Sequence, residues 1–451
     1  VVTPFQYQID GVKRLWELGG RALLADEMGL GKSCQAVRFL LQDPTTTLPA
    51  VVVCPAVLKF NWQREAAKHG GMSSCILEGR KANVPPADFP LYVINYDILP
   101  QWEETLRKYV QPKTVIFDEC QYITNRKAKR TKASFRLASR IPYVLALSGT
   151  PLTNRPAELW TVLHMLRPRL FPYFWDYAQT YCSPRKTPWG WDFSGSANLD
   201  VLHNILSKSI MVRRRKVDVF KDLPPKRRIV LPVEIENRRE YEYARNDFLR
   251  WMRERNPDQV AGAERAEQLS KLSRLKRLAA LLKVRSVVEW IQDFLSSSDG
   301  KIIVFAIHKS IIGSLQKEFS DSCVVIDGST SPIKREAAVD KFQNDRNTRV
   351  FIGNIVAAGK GLSLTTASTV VFAELSWTPG EHSQAEDRCW ARVNDMHEAD
   401  VFYLVAINTI EEKLLGLIQK KQNILNQTLD GDKGGDDFDI YNQLTRELLR
   451  E

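Results

Sequence analysis

Two short stretches of the chain carry the residue types needed to hold and cleave a phosphate anhydride. The first is A-L-L-A-D-E-M-G-L-G-K-S, residues 22–33. An apolar run enters a loop of Asp26, Glu27, Met28, Gly29, Leu30 and Gly31, which closes on Lys32 and Ser33 before helix-forming residues resume. The backbone N–H groups of such a loop, with the helix N-terminus behind it, cradle an anion; Lys32 reaches the β- and γ-phosphates, and the Ser33 hydroxyl can ligate Mg2+. The strict phosphate-loop pattern has glycine five residues before Gly31, where this chain has Asp26. Taken alone, the loop therefore competes with a chance match. The second stretch, V-I-F-D-E at 115–119, is an apolar strand ending in two carboxylates. Asp118 can hold Mg2+ through water, and Glu119 can position and polarise a water for attack on the γ-phosphate. A lone Asp-Glu pair is also what a strand followed by an acidic helix cap looks like. Both stretches in one chain imply nucleotide hydrolysis, which needs positioning and charge neutralisation and no covalent nucleophile.

Such residues must be held by strands whose ends converge. Short β-branched runs at 50–54, 92–95, 114–117 and 143–147 are separated by helix-length stretches, and the theme repeats at 301–305, 323–326, 349–352, 369–373 and 401–405. Runs without polar alternation are expected of strands buried on both faces of a parallel sheet. The spacing predicts an α/β chain of two tandem units. Residues 1–228 form the first, with an aromatic- and proline-rich insertion at 156–223, and 229–429 form the second, with a helical insertion at 234–294. The Trp189/Trp191 cluster in the first insertion reads as core. The Gly/Asp-rich stretch after residue 430 reads as a loop leading to a last amphipathic helix, 440–451.

At 451 residues the chain can hold two or three domains with ample core, and 44% apolar with 26% charged residues excludes disordered, collagen-like and disulfide-scaffold classes. No uncharged apolar run approaches the ~20 residues of a membrane span. Seven cysteines without a C-x-x-C pair point to reduced thiols in an intracellular compartment and away from a zinc module. The chain starts V-V-T-P-F-Q, with neither methionine nor a signal peptide, and is expected to be a monomeric piece of a longer chain or of a complex. Its 64 basic against 53 acidic residues, a net charge of +11, favour a polyanionic partner such as DNA or RNA. Basic runs stand at 126–132, 213–216 and 226–228; solvated helix faces explain such runs as readily as nucleic-acid contacts do.

With those residues in view, the sequence resembles the Swi/Snf-type branch of the superfamily-two helicase-like ATPases. D-E-M-G-L-G-K-S matches the family's first motif, V-C-P-A-V-L-K-F-N-W at 53–62 resembles the next, D-E-C-Q at 118–121 stands where D-E-A-H is usual, and L-S-G-T-P-L-T-N-R-P-A-E-L-W at 147–160 is similar to the third. In the second half, K-I-I-V-F-A-I-H at 301–308, I-D-G-S-T at 326–330, A-A-G-K-G-L-S-L-T at 357–365 and S-W-T-P-G-E-H-S-Q-A-E-D-R at 376–388 follow in family order. The stretches 181–199 and 372–380 further resemble the annealing-helicase, fork-remodelling subfamily, although no accessory module of the kind those proteins carry upstream is visible.

The resemblance implies two RecA-like lobes with an ATP·Mg2+ cleft between them and translocation on double-stranded or branched DNA. It implies ATP binding by Gln8 (with Gln6 as a competing adenine reader), the loop 26–33 and Gly361, and Mg2+ binding by Ser33 and Asp118. Catalysis is carried over to Lys32, Asp118, Glu119, Arg388 and Arg392. DNA contacts are expected at Lys127, Lys129, Arg130, Arg213, Arg214, Arg215, Lys216 and Trp377, and the protein is expected in the bacterial nucleoid or the eukaryotic nucleus. One departure stands out. The last motif usually reads Q-x-x-D-R-x-x-R-x-G-Q, and here Arg392 falls one residue late and the Gly-Gln is Asn394-Asp395. A one-residue slip on a helix turns a side chain by about 100°. Either a local loop restores Arg392, or Arg388 serves alone, or hydrolysis is weak. Two rival readings follow, an ATP-binding DNA clamp with weak hydrolysis and an RNA helicase.

Overall fold

A strand covered by helices on both faces needs apolar residues at every position, and each uninterrupted β-branched run of the sequence is a strand of one of two parallel sheets. The structure, a computed structural model, describes residues 2–152, 155–187, 190–220, 223–254, 263–359, 362, 364–390 and 398–431. Of the sequence expectations, those for Trp189, Gly361, Arg392, Asn394, Asp395 and the stretch 432–451 lie outside the described residues.

The first lobe is built on β1 (Arg21–Leu24), β2 (Ala50–Cys54), β3 (Ser74–Ile76), β4 (Leu91–Asn95), β5 (Thr114–Asp118) and β6 (Tyr143–Leu147). A small antiparallel hairpin, β7 (Arg185–Thr187) with β8 (Gly190–Asp192), lies in the aromatic-rich insertion, and β9 (Met211–Val212) returns to the sheet. The spatial order is β3-β4-β2-β5-β6-β1-β9, parallel throughout. Register does the positioning. Leu24 and Asp118 both pair with Leu147, so the loop after β1, the carboxylates after β5 and the Ser148-Gly149 turn after β6 leave the sheet at one level. Beneath them Val52, Ile116 and Leu145 are fully buried, joined by Leu40 and Phe39 from the helix Lys32–Gln42.

The second lobe contains β10 (Lys226–Val233), β11 (Lys301–Ala306), β12 (Cys323–Ile326), β13 (Val350–Asn354), β14 (Ala367–Phe372) and β15 (Ala399–Ala406), in the order β10-β15-β14-β11-β13-β12, again all parallel. Both sheets carry the strand pattern of RecA-like lobes. The helical insertion is three helices, Arg238–Arg253, Ala263–Leu282 and Val284–Ser297, with Leu272, Leu275 and Ile291 turned into the core. Between the last two, the fully buried Lys283 donates to Glu411 at 2.6 Å.

Two readings of the sequence are corrected. The basic run 226–228 opens the edge strand β10, where Pro232 is tolerated because its missing N–H is needed by no outer neighbour. Trp191, expected in the core, lies on the hairpin and is 48% exposed. Among the described residues, 2–183, 196–220 and 425–431 form one compact unit, and 184–187, 190–195 and 223–424 the other. No described helix is long and apolar enough to cross a membrane.

Candidate nucleotide site

The loop after β1 turns because Gly29 and Gly31 adopt φ of +87° and +74°, conformations that strain any residue with a Cβ. Lys32 opens the following helix, and its Nζ folds back to donate to the carbonyls of Asp26 (2.8 Å) and Glu27 (3.3 Å). Burial lowers the pKa of this ammonium, while the charges of Glu119, Asp26 and Asp118 act to keep it protonated. Gly149, in the turn after β6, admits this approach: a Cβ there would meet Met28 Cγ at 2.7 Å and Lys32 Nζ at 3.3 Å. Gln8 is buried against the same loop, its Nε2 donating to the Leu30 carbonyl at 3.3 Å, whereas Gln6 bonds Asp10 on an exposed face. Of the two glutamines, Gln8 is the one the fold brings to the phosphate loop.

Asp26, the residue that breaks the strict loop pattern, has its own explanation. It is fully buried and accepts from Arg214 Nε at 3.0 Å and Gln35 Nε2 at 2.9 Å, and Arg214 also donates to Gln35 Oε1 (2.7 Å) and the Tyr7 carbonyl. A buried carboxylate paired in this way anchors the loop from below, a task that glycine cannot perform. The neighbours of Arg214 do similar work. Arg213 bridges Asp430 (2.6 and 3.0 Å) and the Ala25 carbonyl (2.8 Å), the Lys216 amide donates to Glu27 at 2.6 Å, and Arg215 pairs with Asp218 at 3.0 Å. Arg213, Arg214 and Lys216 of the R-R-R-K run, expected on a DNA track, thus wall the nucleotide loop, while Arg215 turns to Asp218. Lys216 is 1% exposed, and the guanidinium groups of Arg213 and Arg214 face carboxylates within the lobe.

The second carboxylate pair stands beside this loop. Asp118 accepts from the indole Nε1 of buried Trp62 at 2.7 Å and from the amide of Glu119 at 3.0 Å, and the Tyr96 hydroxyl donates to its carbonyl at 2.8 Å. Burial, and then the charge of Glu119, push the Asp118 carboxyl up to about 7. Glu119 itself sits at φ +50°, a left-handed conformation that a non-glycine residue keeps only when its surroundings hold it there. Its carboxylate accepts from Gln121 Nε2 (2.7 Å), Gln121 Oε1 accepts from Ser148 Oγ (2.7 Å), and Ser148 Oγ accepts from the Thr150 amide (3.0 Å). A continuous hydrogen-bonded chain therefore ties the D-E-C-Q carboxylate to the S-G-T turn. Neither the Trp62 bond nor this relay is legible in the sequence, although Trp62 and Gln121 both stand within its motifs.

The remaining candidates each have their own surroundings. Arg388 is 3% exposed, its Nε donating to the Gln384 carbonyl at 2.9 Å and its Nη1 to that of Leu362 at 3.0 Å. Trp377 is half-buried beneath the ammonium of Lys276, 5.4 Å from its ring centre. Lys127 and Lys129 are exposed, and Arg130 donates to the Tyr122 carbonyl at 2.7 Å.

The profile of the SNF2-related domain matches residues 7–288, and that of the helicase conserved C-terminal domain matches 283–393. Over 438 residues the chain is 35% identical to the SWI/SNF-related matrix-associated actin-dependent regulator of chromatin subfamily A-like protein 1 of Xenopus laevis, covering 94% of this chain and 44% of that protein. It is 32% identical over 448 residues to the human DNA annealing helicase and endonuclease ZRANB3, covering 96% and 41%. The chain thus spans less than half the length of either relative. A solved structure, the Sulfolobus solfataricus SWI2/SNF2 ATPase core in complex with double-stranded DNA, is 25% identical, covers 100% of this chain and 96% of its own, and superposes with a TM-score of 0.46.

Proposed function

The chain belongs to the SNF2-related family of helicase-like ATPases, and from that premise we propose that it is a DNA-stimulated ATPase that translocates on double-stranded DNA and remodels DNA or protein–DNA structures. The observation that carries this reading is the convergence, at one level of the first sheet, of a Gly-turned loop bearing Lys32 with the Asp118-Glu119 pair and the turn to which Glu119 is wired. The residues present suit a magnesium nucleotide. Ser33 and Asp118 offer the hard oxygen ligands Mg2+ takes, and a carboxyl that burial and a like charge push toward protonation gains most from a nearby cation. Bound there with the phosphates, the ion would neutralise charge on the β- and γ-oxygens.

The protein's own residues have separable tasks. Lys32 leaves the carbonyls of its loop for the phosphates, Gln8 reads the base, and Glu119 holds the attacking water and receives its proton. Arg388 is bonded on two sides to carbonyls and braces its segment, so Arg392 is the residue proposed to offset charge on the transferred phosphoryl group. The names of the relatives, a chromatin regulator and an annealing helicase, support DNA as the track.

The test is phosphate release with and without duplex DNA, alongside displacement of a triplex-forming strand. Wild type is expected to hydrolyse ATP faster with DNA and to displace the third strand only with hydrolysable nucleotide. Glu119→Gln is expected to bind ATP yet lose hydrolysis by about a thousandfold, the scale of a lost catalytic group in phosphoryl transfer. Hydrolysis no faster in wild type than in Glu119→Gln, with duplex present, would remove the motor and leave an ATP-binding clamp. Stimulation by RNA alone would point to an RNA helicase.

A further inference from the structure

Aromatic side chains usually deliver their area to a core. Along L-F-P-Y-F-W, residues 170–175, they are divided between core and surface. Phe171 is 5% exposed and packs edge-on against Tyr177, while Leu170, Tyr173 and Trp175 are 48%, 69% and 36% exposed. Phe174, between the two exposed rings, faces inward to a layered stack: its ring meets Trp160 edge-on at 5.6 Å, and Trp160 lies flat on His164 at 4.7 Å. The Arg126 guanidinium covers the Phe174 ring at 3.4 Å and stands 5.7 Å from that of Trp160. This contact pins the loop after D-E-C-Q, with exposed Lys127 and with exposed Lys129 opening the next helix (Lys129–Ala138), to the start of the helix Phe174–Tyr181. Arg126 thus joins the segment that carries the exposed Lys127 and Lys129 to the segment that carries the exposed Tyr173 and Trp175, over a foundation of stacked rings.

We infer that these two segments form a stacking platform for unpaired DNA bases, with Lys127 and Lys129 holding the adjoining phosphates. Single strands are bound in this way, by cations that track the backbone and rings on which bases lie. A duplex keeps its bases stacked on one another and offers no free base face to Tyr173, so the platform separates branched or partly single-stranded DNA from plain duplex. The flanking cations argue for this polyanion over an apolar protein partner. The inference rests on the proposed DNA-acting function and narrows its substrate to DNA with unpaired arms.

The experiment measures binding of the chain to three DNAs of equal phosphate count: a blunt duplex, a fork with thymine arms, and the same fork with abasic arms. Wild type is expected to prefer the thymine fork, and the Tyr173→Ala/Trp175→Ala variant to bind it about tenfold more weakly, the scale of losing a stacked base. Blunt-duplex affinity and duplex-stimulated phosphate release are expected to change less than twofold, the abasic fork to be insensitive to the variant, and Tyr173→Phe to bind like wild type. Equal losses on fork and duplex, or no loss on the thymine fork, would each overturn the platform, the second leaving the patch to a protein partner. A fork preference that depends on these rings in a chain without DNA-stimulated hydrolysis would sink the motor while sparing the platform; the reverse result would do the opposite.

Discussion

Asp118 is gripped from three directions, by Trp62, by the Glu119 amide and, at its carbonyl, by Tyr96. Only the first is a side-chain bond to the carboxylate itself, and it is charge-assisted when that carboxylate is ionised, a class of bond worth about 1.5–3 kcal/mol. Trp62→Phe keeps most of the buried ring and removes the N–H. Its kcat is expected to fall about tenfold, the equivalent of 1.4 kcal/mol, with the Mg2+ needed for half-maximal rate rising and KM for ATP moving less than twofold. Steady-state kinetics over a magnesium titration checks it. An unchanged kcat would make the bond a packing detail. Two residues mark the same site for different reasons: Glu119, at φ +50°, has its carboxylate bonded by Gln121, and Asp26, which departs from the loop pattern, is held by Arg214. The sequence pattern could flag Asp26 as an exception, but its partner is 188 residues on and no spacing rule reaches it.

At the scale of elements, β10 teaches what patterns miss. Its first residues, K-R-R, have the charges of a surface run, yet Lys226 and Arg228 reach Glu386, which is 1% exposed, at 3.0 and 2.7 Å. Eight of the nine apolar runs are interior strands of their sheets, and β12, an edge strand buried at alternate residues, is still apolar throughout; β10, an edge strand that carries charges, a proline and a buried ion pair, has no such mark. The helix Pro379–Glu386 is fastened to the sheet by that pair and by the Tyr403 hydroxyl, which donates to Glu386 at 2.7 Å. Burial by itself would raise the Glu386 carboxyl; the charges of Lys226 and Arg228 outweigh it and hold the group far below the usual carboxylate range. A depressed folded-state pKa gives stability that is present in full well above the unfolded value, about 4.3, and is lost as pH falls toward the folded one. Glu386→Gln is therefore expected to cost about 3 kcal/mol at pH 7, the low end for a broken buried pair, because Lys226 keeps Asp387 at 3.1 Å. The gap to wild type should narrow steadily below about pH 4.3. Urea unfolding at several pH values measures it, and a gap independent of pH would show that packing, not charge, holds the helix.

For the whole molecule, the surplus of +11 is not a measure of the surface that DNA would meet. Arg213, Arg214, Lys226 and Lys283 all spend their charge on carboxylates inside a lobe. The runs that looked alike in sequence divide on folding into walls of the nucleotide loop, the root of an edge strand, and one loop, around Lys127 and Lys129, that remains open to solvent. Phosphate contacts release counterions, so the logarithm of affinity falls with the logarithm of salt with a slope of about −0.7 per contact on single strands. If Lys127 and Lys129 each hold a phosphate of an unpaired arm, replacing both with alanine should flatten the slope by about 1.4 without favouring any sequence, since backbone contacts read none. Arg215→Ala, at a side chain committed to Asp218, should leave the slope where it was. Binding of the thymine-armed fork at about 50 to 200 mM salt, compared across the three proteins, separates the cases. A slope flattened by Arg215→Ala and untouched by the lysine pair would move the DNA track away from the D-E-C-Q loop and back to the R-R-R-K wall.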